Sequence, residues 1–453
     1  MHVLLRGRDA AFAALVLGRL MASLDTNVVV AALPSIGADL GDPGSVGGVT
    51  AAYLLAVAVA TPVHGSLGDR WGRRRMFVGS VTAFAVGSVA CALAPNLAAL
   101  IGFRAVQGLG GGGLIVAAVA AMAELFDRDE LVRRQGWLTA VFALSSIGGA
   151  PLGGLLAAVA GWWSIFLINL PICVVALFLG ARSVPGFRRV DRIRFDSAGA
   201  VLVAIAGGCV VVLGSGEALA RDAVWAPVLV VAALAATGAF VQVERRTAAP
   251  LVPPRLFADA GLARVVAVTF LTGVALFGSF TYVPLVIGAA RPEATALLLV
   301  PMSVGQVLVT GGFALLARRW SRVSAWGRFG LALGVVGLLV TAAIPLLAPG
   351  PARFAAVVVG LASSGAALGL SMQAYTLLAQ SSAPKDILGA GLATLTFARQ
   401  IGGSLGIAVF SLLALPVVFL VAAAAMLVAV VVAPRRAHDR LSPRSLDRRK
   451  SAA

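Results

Sequence analysis

The chain has 453 residues, of which 60% are hydrophobic and only 12% charged, with a mean hydropathy of +0.97 and a net charge of +17. A water-soluble domain carries about 25% charged residues, so the composition excludes a soluble enzyme and requires a chain that crosses a membrane many times. The surplus of positive charge does not point to nucleic acid, because the basic residues sit in the short segments between apolar runs.

A helix needs roughly 20 apolar residues to cross about 30 Å of hydrocarbon. In chain order the apolar runs predict fourteen spans: 11–32, 47–67, 76–94, 99–123, 136–160, 164–182, 197–215, 222–242, 262–287, 294–317, 327–347, 353–378, 387–412 and 415–433. The first holds an acid and is about 22 residues long, which reads as a true span rather than a cleaved signal peptide. With both termini placed in the cytoplasm, Arg221, Arg291 and Arg353 fall in outer loops and Arg19, Arg104 and Arg399 inside spans. The other 30 of the 36 Lys and Arg then lie on the cytoplasmic side, as the positive-inside rule requires. The expected chain is an all-α polytopic membrane protein: a six-helix bundle over 1–182, a basic linker (183–196) with two extra helices up to 261, a second six-helix bundle over 262–433, and a basic, disordered tail from 434 to 453. Membrane lipids are its surroundings, and it is expected to act as a monomer. Glycine-rich stretches recur in matching places, RAVQGLGGGG in the fourth span with VGLASSGAALG in the twelfth, and IGGAPLGGLL in the fifth with IGGSLGIA in the thirteenth. Small residues let helices approach closely in lipid, and repeated halves are typical of secondary transporters.

Ionisable groups inside a membrane are expensive and mark function by default. Asp25 is the only carboxylate deep within a span. A buried acid is costly when charged unless a cation faces it, so Asp25 reads either as a proton carrier or as half of a structural ion pair. Arg19 is six residues away, not on the same helix face, and has no evident role. Arg104 and Gln107 share a face of the fourth span, either holding an acid in its charged form or bracing backbone carbonyls. In the fifth span Ser145, Gly149, Pro151, Gly153 and Gly154 make a smooth, bendable surface, suited to close packing and to a hinge. Arg399 and Gln400 resemble the Arg104–Gln107 pair in kind. Asn27, Gln107, Tyr282, Gln373 and Arg399 are candidates to line a substrate cavity, with helix-to-helix hydrogen bonding as the alternative for the uncharged ones. The stretch Gly65–Phe77, GSLGDRWGRRRMF, reads as a basic hairpin with Gly65 and Gly72 bracketing the turn, and Glu124 lies at the inner end of the fourth span as a possible partner for its arginines. Cys91, Cys173 and Cys209 lie in apolar runs without metal-ligand spacing. His2, His64 and His438 have no cluster around them, and no GxxxxGK[ST] phosphate loop is present. No metal or cofactor is expected, and transport would draw on an ion gradient rather than on ATP.

Residues 65–77 match G-x-L-a-D-r-x-G-r-[KR]-[KR] at every fixed position and so resemble the signature loop of the major facilitator superfamily. Arg104, Gln107, Gly108 and Gly110 match its R-x-x-Q-G-x-G pattern. Leu24–Asp25 through Ala32–Leu33–Pro34 resembles the LDxTIVNVALP signature of the 14-helix drug:proton antiporters, and Gly391–Leu392, Arg399–Gln400, Gly402–Gly403, Ile168–Asn169–Leu170–Pro171 and Pro301 also fall where that subfamily would place them. The resemblance covers about 1–433 and implies the major facilitator fold. It further implies an exporter of hydrophobic or amphiphilic small molecules, drugs and antibiotics among them, across the bacterial cytoplasmic membrane. Export would be driven by protons, with Asp25 as the protonation site, Arg104 tuning it, 145–154 as a hinge, and Asp69 with Arg73 and Glu124 forming a cytoplasmic gate. Asn27 and Val30 stand where the signature has Thr and Asn. The hinge proline is shifted by one and its first glycine is Ser145. Trp162–Trp163–Ser164 lacks an expected arginine, and the loop between the tenth and eleventh spans lacks the acid of the first. The rival readings are a transporter of one specific metabolite within the same superfamily and a transport-inactive membrane sensor.

Overall fold

A backbone amide inside hydrocarbon finds no water, and a helix satisfies it internally. In the computed structural model the described residues are 2–40, 46–126, 128–184, 186, 196–214, 225–247, 250–252, 254–287, 297–319, 322–382 and 388–434, and among them there are helices and no strand. The first part of the chain forms α1 (His2–Leu40), α2 (Gly47–Trp71), α3 (Arg73–Ala92), α4 (Leu97–Leu125), α5 (Arg128–Ala160), α6 (Ser164–Leu167) and α7 (Asn169–Ser183). Then come α8 (Ser197–Gly214) and α9 (Trp225–Arg246). The last part forms α10 (Ala260–Thr272), which runs on through a π-helical turn at Gly273–Phe277 and a short segment Gly278–Phe280, then α11 (Val283–Ile287), α12 (Val300–Arg319), α13 (Val323–Ala343), α14 (Pro351–Ser382), α15 (Leu388–Phe410) and α16 (Leu415–Val432). Among the described residues eleven helical stretches are long and apolar enough to cross a membrane, and Leu144–Ala160 and Val300–Phe313 are shorter apolar stretches. The chain is a multi-pass membrane protein. Large apolar side chains such as Leu93, Val159, Leu234 and Val431 point outward, as a lipid-facing surface demands.

One expectation is corrected. Gly65–Phe77 is not a hairpin loop: α2 continues to Trp71 and α3 begins at Arg73, so that Gly72 alone breaks the helix, at φ 91° and ψ 145°. Only glycine adopts that backbone readily, and its amide caps α2 by donating to Gly68 O at 3.0 Å. The sixth predicted span is present as Ser164–Ser183, with a turn at Ile168 dividing it into α6 and α7. Residues 187–195 of the linker and 435–453 of the tail lie outside the described residues.

Glycine decides how closely the helices approach. A Cβ on Gly108 would stand 2.6 Å from Tyr53 O, one on Gly112 2.8 Å from Val57 O, and one on Gly110 2.7 Å from Ser80 O. The bare ridge of α4 therefore beds into α2 on one side and α3 on the other. In the same way α1 rests on α5, and α15 on α10. At one end of the bundle Arg134 of α5 reaches Asp9 of α1 (2.7 Å) and Glu130 (2.9 Å), and stacks over Phe12 and Phe126. At the other end Trp162 Nε1 donates to Asp39 Oδ2 at 2.6 Å, closing the α5–α6 corner on the end of α1.

The early and late helices meet where α2 packs on α15. Ser404 Oγ donates to Ala51 O at 2.9 Å, and Gly403 lies against Leu54. The helix α8 sits along the same seam, with Gly207 against Leu55 of α2, Gly214 against Ala408 of α15, and Ser411 Oγ donating to Gly214 O at 2.5 Å.

Candidate functional site

Asp25 lies in α1 at the level where α4 crosses it, and the glycine ridge of α4 brings Arg104 and Gln107 to the crossing. Arg104 Nη1 donates to Asp25 Oδ2 at 2.6 Å and to Gln107 Oε1 at 2.6 Å. Gln107 Nε2 donates to Asp25 Oδ1 at 2.9 Å and to Ser88 Oγ of α3 at 2.8 Å. Asn169, the first residue of α7, adds longer contacts from Nδ2 to Asp25 Oδ1 (3.3 Å) and to Ser88 Oγ (3.4 Å). The guanidinium also donates from Nε to Val49 O of α2 at 3.3 Å and lies 4.2 Å over the Tyr53 ring. Five of the first seven helices, α1, α2, α3, α4 and α7, thus contribute to one polar cluster.

The cluster is sealed. Asp25 is 1% exposed, Arg104, Gln107 and Ser88 are 0%, and Asn169 is 1%. A buried ion pair persists only when its remaining lone pairs and protons are also satisfied, and here both carboxylate oxygens accept hydrogen bonds. One atom is left over: Arg104 Nη2 is buried with no hydrogen-bond partner, and the aromatic face of Tyr53 is the nearest compensation. Adding a proton to Asp25 would cancel the charge that holds Arg104.

The other predicted residues are dispersed. Gly149 and Gly153 press against α1, where a Cβ on Gly149 would lie 2.7 Å from Asn27 Cβ and one on Gly153 would strike Val28 O. Pro151 sits between them inside α5, and Gly154 is buried beside them. Asn27 is half-buried at this contact, its amide donating to Ser23 O at 2.9 Å. Two residues expected to line a cavity are enclosed instead. Gln107 belongs wholly to the Asp25 cluster, and Tyr282 is 2% exposed with its hydroxyl donating to Ile407 O at 2.6 Å. Gln373 on α14 and Arg399 on α15 are half-buried. Of the expected gate, Gly65 and Asp69 lie in α2 and Glu124 in α4, with the side chains of Asp69 and Glu124 outside the described residues. Arg73, at the start of α3, folds back so that its Nη1 covers Gly68.

Sequence reasoning found Asp25, Arg104 and Gln107 but assigned no role to Ser88, Val49 or Tyr53. Asn169 was visible only through the INLP pattern. Ser88 follows Gly87, whose missing side chain lets the Gln107 backbone approach to 2.6 Å from where a Cβ would stand. A Gly–Ser pair in an otherwise apolar span was the available signal.

The sequence profile of the Major Facilitator Superfamily matches residues 15–407. An uncharacterized MFS-type transporter of Mycobacterium tuberculosis is 34% identical over 411 residues, 90% of this chain, and the chain spans 59% of that relative's length. A "Multidrug resistance protein B homolog" of the same organism is 34% identical over 410 residues, covering 88% of this chain and 74% of that protein. The "Multidrug transporter protein MdtP" of Bacillus subtilis is 29% identical over 403 residues, covering 87% and 73%. Among solved structures, an auto-inhibited POT family peptide transporter superposes with a TM-score of 0.70 at 17% identity over 97% of this chain and 99% of that one. A D-xylose-proton symporter superposes with a TM-score of 0.69 at 15% identity over 95% and 99%. At these identities the structural likeness concerns the fold alone.

Proposed function

Because the chain belongs to the Major Facilitator Superfamily, whose members are transporters of small molecules rather than enzymes, we propose that it exports hydrophobic or amphiphilic compounds, drugs and antibiotics among them, in exchange for protons. The observation that carries the proposal is the sealed cluster around Asp25, where one carboxylate faces one guanidinium across two helices. The names of the multidrug relatives support the export reading. The fourteen predicted spans with both termini cytoplasmic, and the division into six-helix halves at 1–182 and 262–433 with 183–261 between them, belong to the same proposal.

In this reading Asp25 takes up a proton from the outside and yields it inside. Arg104, held by Gln107, loses its partner on protonation, and α1 and α4 shift with it. Residues 145–154 of α5, whose glycines pack smoothly on α1, would serve as the hinge for the rocking motion. Asp69 with Arg73 and Glu124 would close the inner gate, and the substrate would bind between the halves near the midplane.

The test is uptake into inside-out vesicles energised by an imposed proton gradient, using a panel of fluorescent drugs. The wild type accumulates several of them and Asp25→Asn accumulates none. Accumulation unchanged by that substitution removes Asp25 from the proton path. Accumulation of a single metabolite and of no drug favours the specific-transporter reading. A susceptibility panel in an efflux-deficient host is the complementary measurement.

A further inference from the structure

The spans hold three arginines and one deep carboxylate. Arg104 takes that carboxylate. Among the described residues neither Arg19 nor Arg399 makes a hydrogen bond or an ion pair. Their surroundings differ from those of Arg104. Protein encloses both, yet both side chains keep accessible surface, and neither contributes a sealed, unpartnered nitrogen as Arg104 Nη2 does. Both arginines are half-buried, and among the described residues no polar group meets either guanidinium.

The two side chains lie on either side of α2. Arg19 is one turn from Ala22, whose carbonyl accepts from Tyr53 of α2 at 3.4 Å, and residues three or four apart share a helix face. Arg399 is one turn from Gly403, where a Cβ would stand 3.3 Å from Leu54 of α2. Tyr53 and Leu54 are adjacent, and both arginines are displaced from them toward the Trp71 end of α2. One cation comes from the first six-helix unit and the other from the last, at similar depth, just beyond the point where Ser404 and Ala51 join the two.

An unpaired guanidinium within a membrane span is costly and marks a ligand path. Its planar fork fits carboxylate, sulfonate and phosphate oxygens in pairs, and two such charges repel a cation. We propose that Arg19 and Arg399 form the anion-recognising site of the transport cavity, and that the exported compounds carry a carboxylate, sulfonate or phosphate on an apolar body. This rests on the export reading above and narrows its substrate class.

The full chain in phosphatidylcholine nanodiscs is titrated with two probes that share a pyrenebutyl body, one ending in carboxylate and the other in trimethylammonium. The carboxylate probe is expected to bind at least about tenfold more tightly, and Arg19→Gln and Arg399→Gln each to cut that preference about tenfold, the loss of one charge-assisted contact. Arg399→Lys keeps the charge and retains part of the preference. If Arg399→Gln is not recovered folded, Arg19→Gln and Arg399→Lys decide the matter on the same ratio. Binding of neither probe, equal or tighter binding of the trimethylammonium probe, or a ratio unmoved by the glutamine variants overturns the proposal. Repeating the titration with one third phosphatidylglycerol separates two sources of the anion: competition identifies a lipid headgroup in the site, and unchanged affinity a free amphiphile. Vesicle uptake separates the two readings. An anion preference in binding without proton-driven accumulation keeps the site and removes export, whereas accumulation of the trimethylammonium probe alone keeps export and removes the site.

Discussion

Arg104 Nη1 stands 2.6 Å from Asp25 Oδ2 across the contact of α4 with α1, and neither side chain is accessible. Removing one partner of such a pair leaves the other charge buried and alone, at about 3–5 kcal/mol. Asp25→Asn and Arg104→Gln should each lower the thermal stability of the purified protein markedly. The double variant should recover part of the loss, because it removes both charges, while proton-driven transport stays absent. A double variant whose loss equals the sum of the single losses would show that the two groups do not interact energetically.

Gln107 bridges Asp25 to Ser88 and also accepts from Arg104. Gln107→Leu fills similar space without those bonds. Hydrogen bonds to charged groups contribute about 1.5–3 kcal/mol each, so this variant should be destabilised by at least that much. Ser88→Ala removes one neutral partner and should cost about 1 kcal/mol. Chemical or thermal unfolding in a single detergent ranks the two, and a Ser88→Ala loss as large as that of Gln107→Leu would contradict the network as described.

The α1–α5 contact offers an internally controlled test. A methyl on Gly153 would collide with Val28 O, whereas one on Gly148 meets nothing within 4 Å. Overpacking costs about 1–3 kcal/mol, so Gly153→Ala should reduce folded yield on size-exclusion chromatography and slow transport. Gly148→Ala, five residues away on the same helix, should match the wild type in both measurements.

Gly72 holds a backbone that side chains rarely adopt, at φ 91°. Gly72→Ala should cost about 1–3 kcal/mol and disturb the join between α2 and α3. Asp69→Ala, three residues earlier, is expected to slow transport and leave expression intact. Comparing the folded yield of the two variants separates backbone strain from gating, and wild-type transport in Asp69→Ala would count against a gate.

Hydropathy located the helices because burial in lipid is a property of whole segments, and it placed Asp25 and Arg104 at depth for the same reason. It left each helix's rotation open. That Asp25 faces α4 rather than lipid depends on the Gly108–Gly112 ridge drawing α4 against α2, a packing event between residues 55 positions apart, Gly108 on Tyr53 and Gly112 on Val57. The ends of helices were also hidden. The segments Arg128–Ala160 and Pro351–Ser382 extend beyond their apolar cores, since a helix continues into water wherever its polar faces allow. The π-helical turn at Gly273–Phe277 had no signature, because it arises where α15 presses its own glycines, Gly402 and Gly406, onto Phe270 and Val274. Ser88 escaped notice because a lone serine in a span is usually bonded to its own helix, as Ser80 is to Met76 O.

The position of α8 bears on how the protein meets the surrounding lipid. By resting on α2 through Gly207 and on α15 through Gly214, this helix shields one lateral seam of the protein from the bilayer. Among the described residues no comparable packing joins it to α5 or α12, the helices that meet at the opposite seam. The protein is thus asymmetric toward the surrounding lipid: α8 adds a layer over the seam between α2 and α15, while among the described residues the seam between α5 and α12 is covered by no comparable helix.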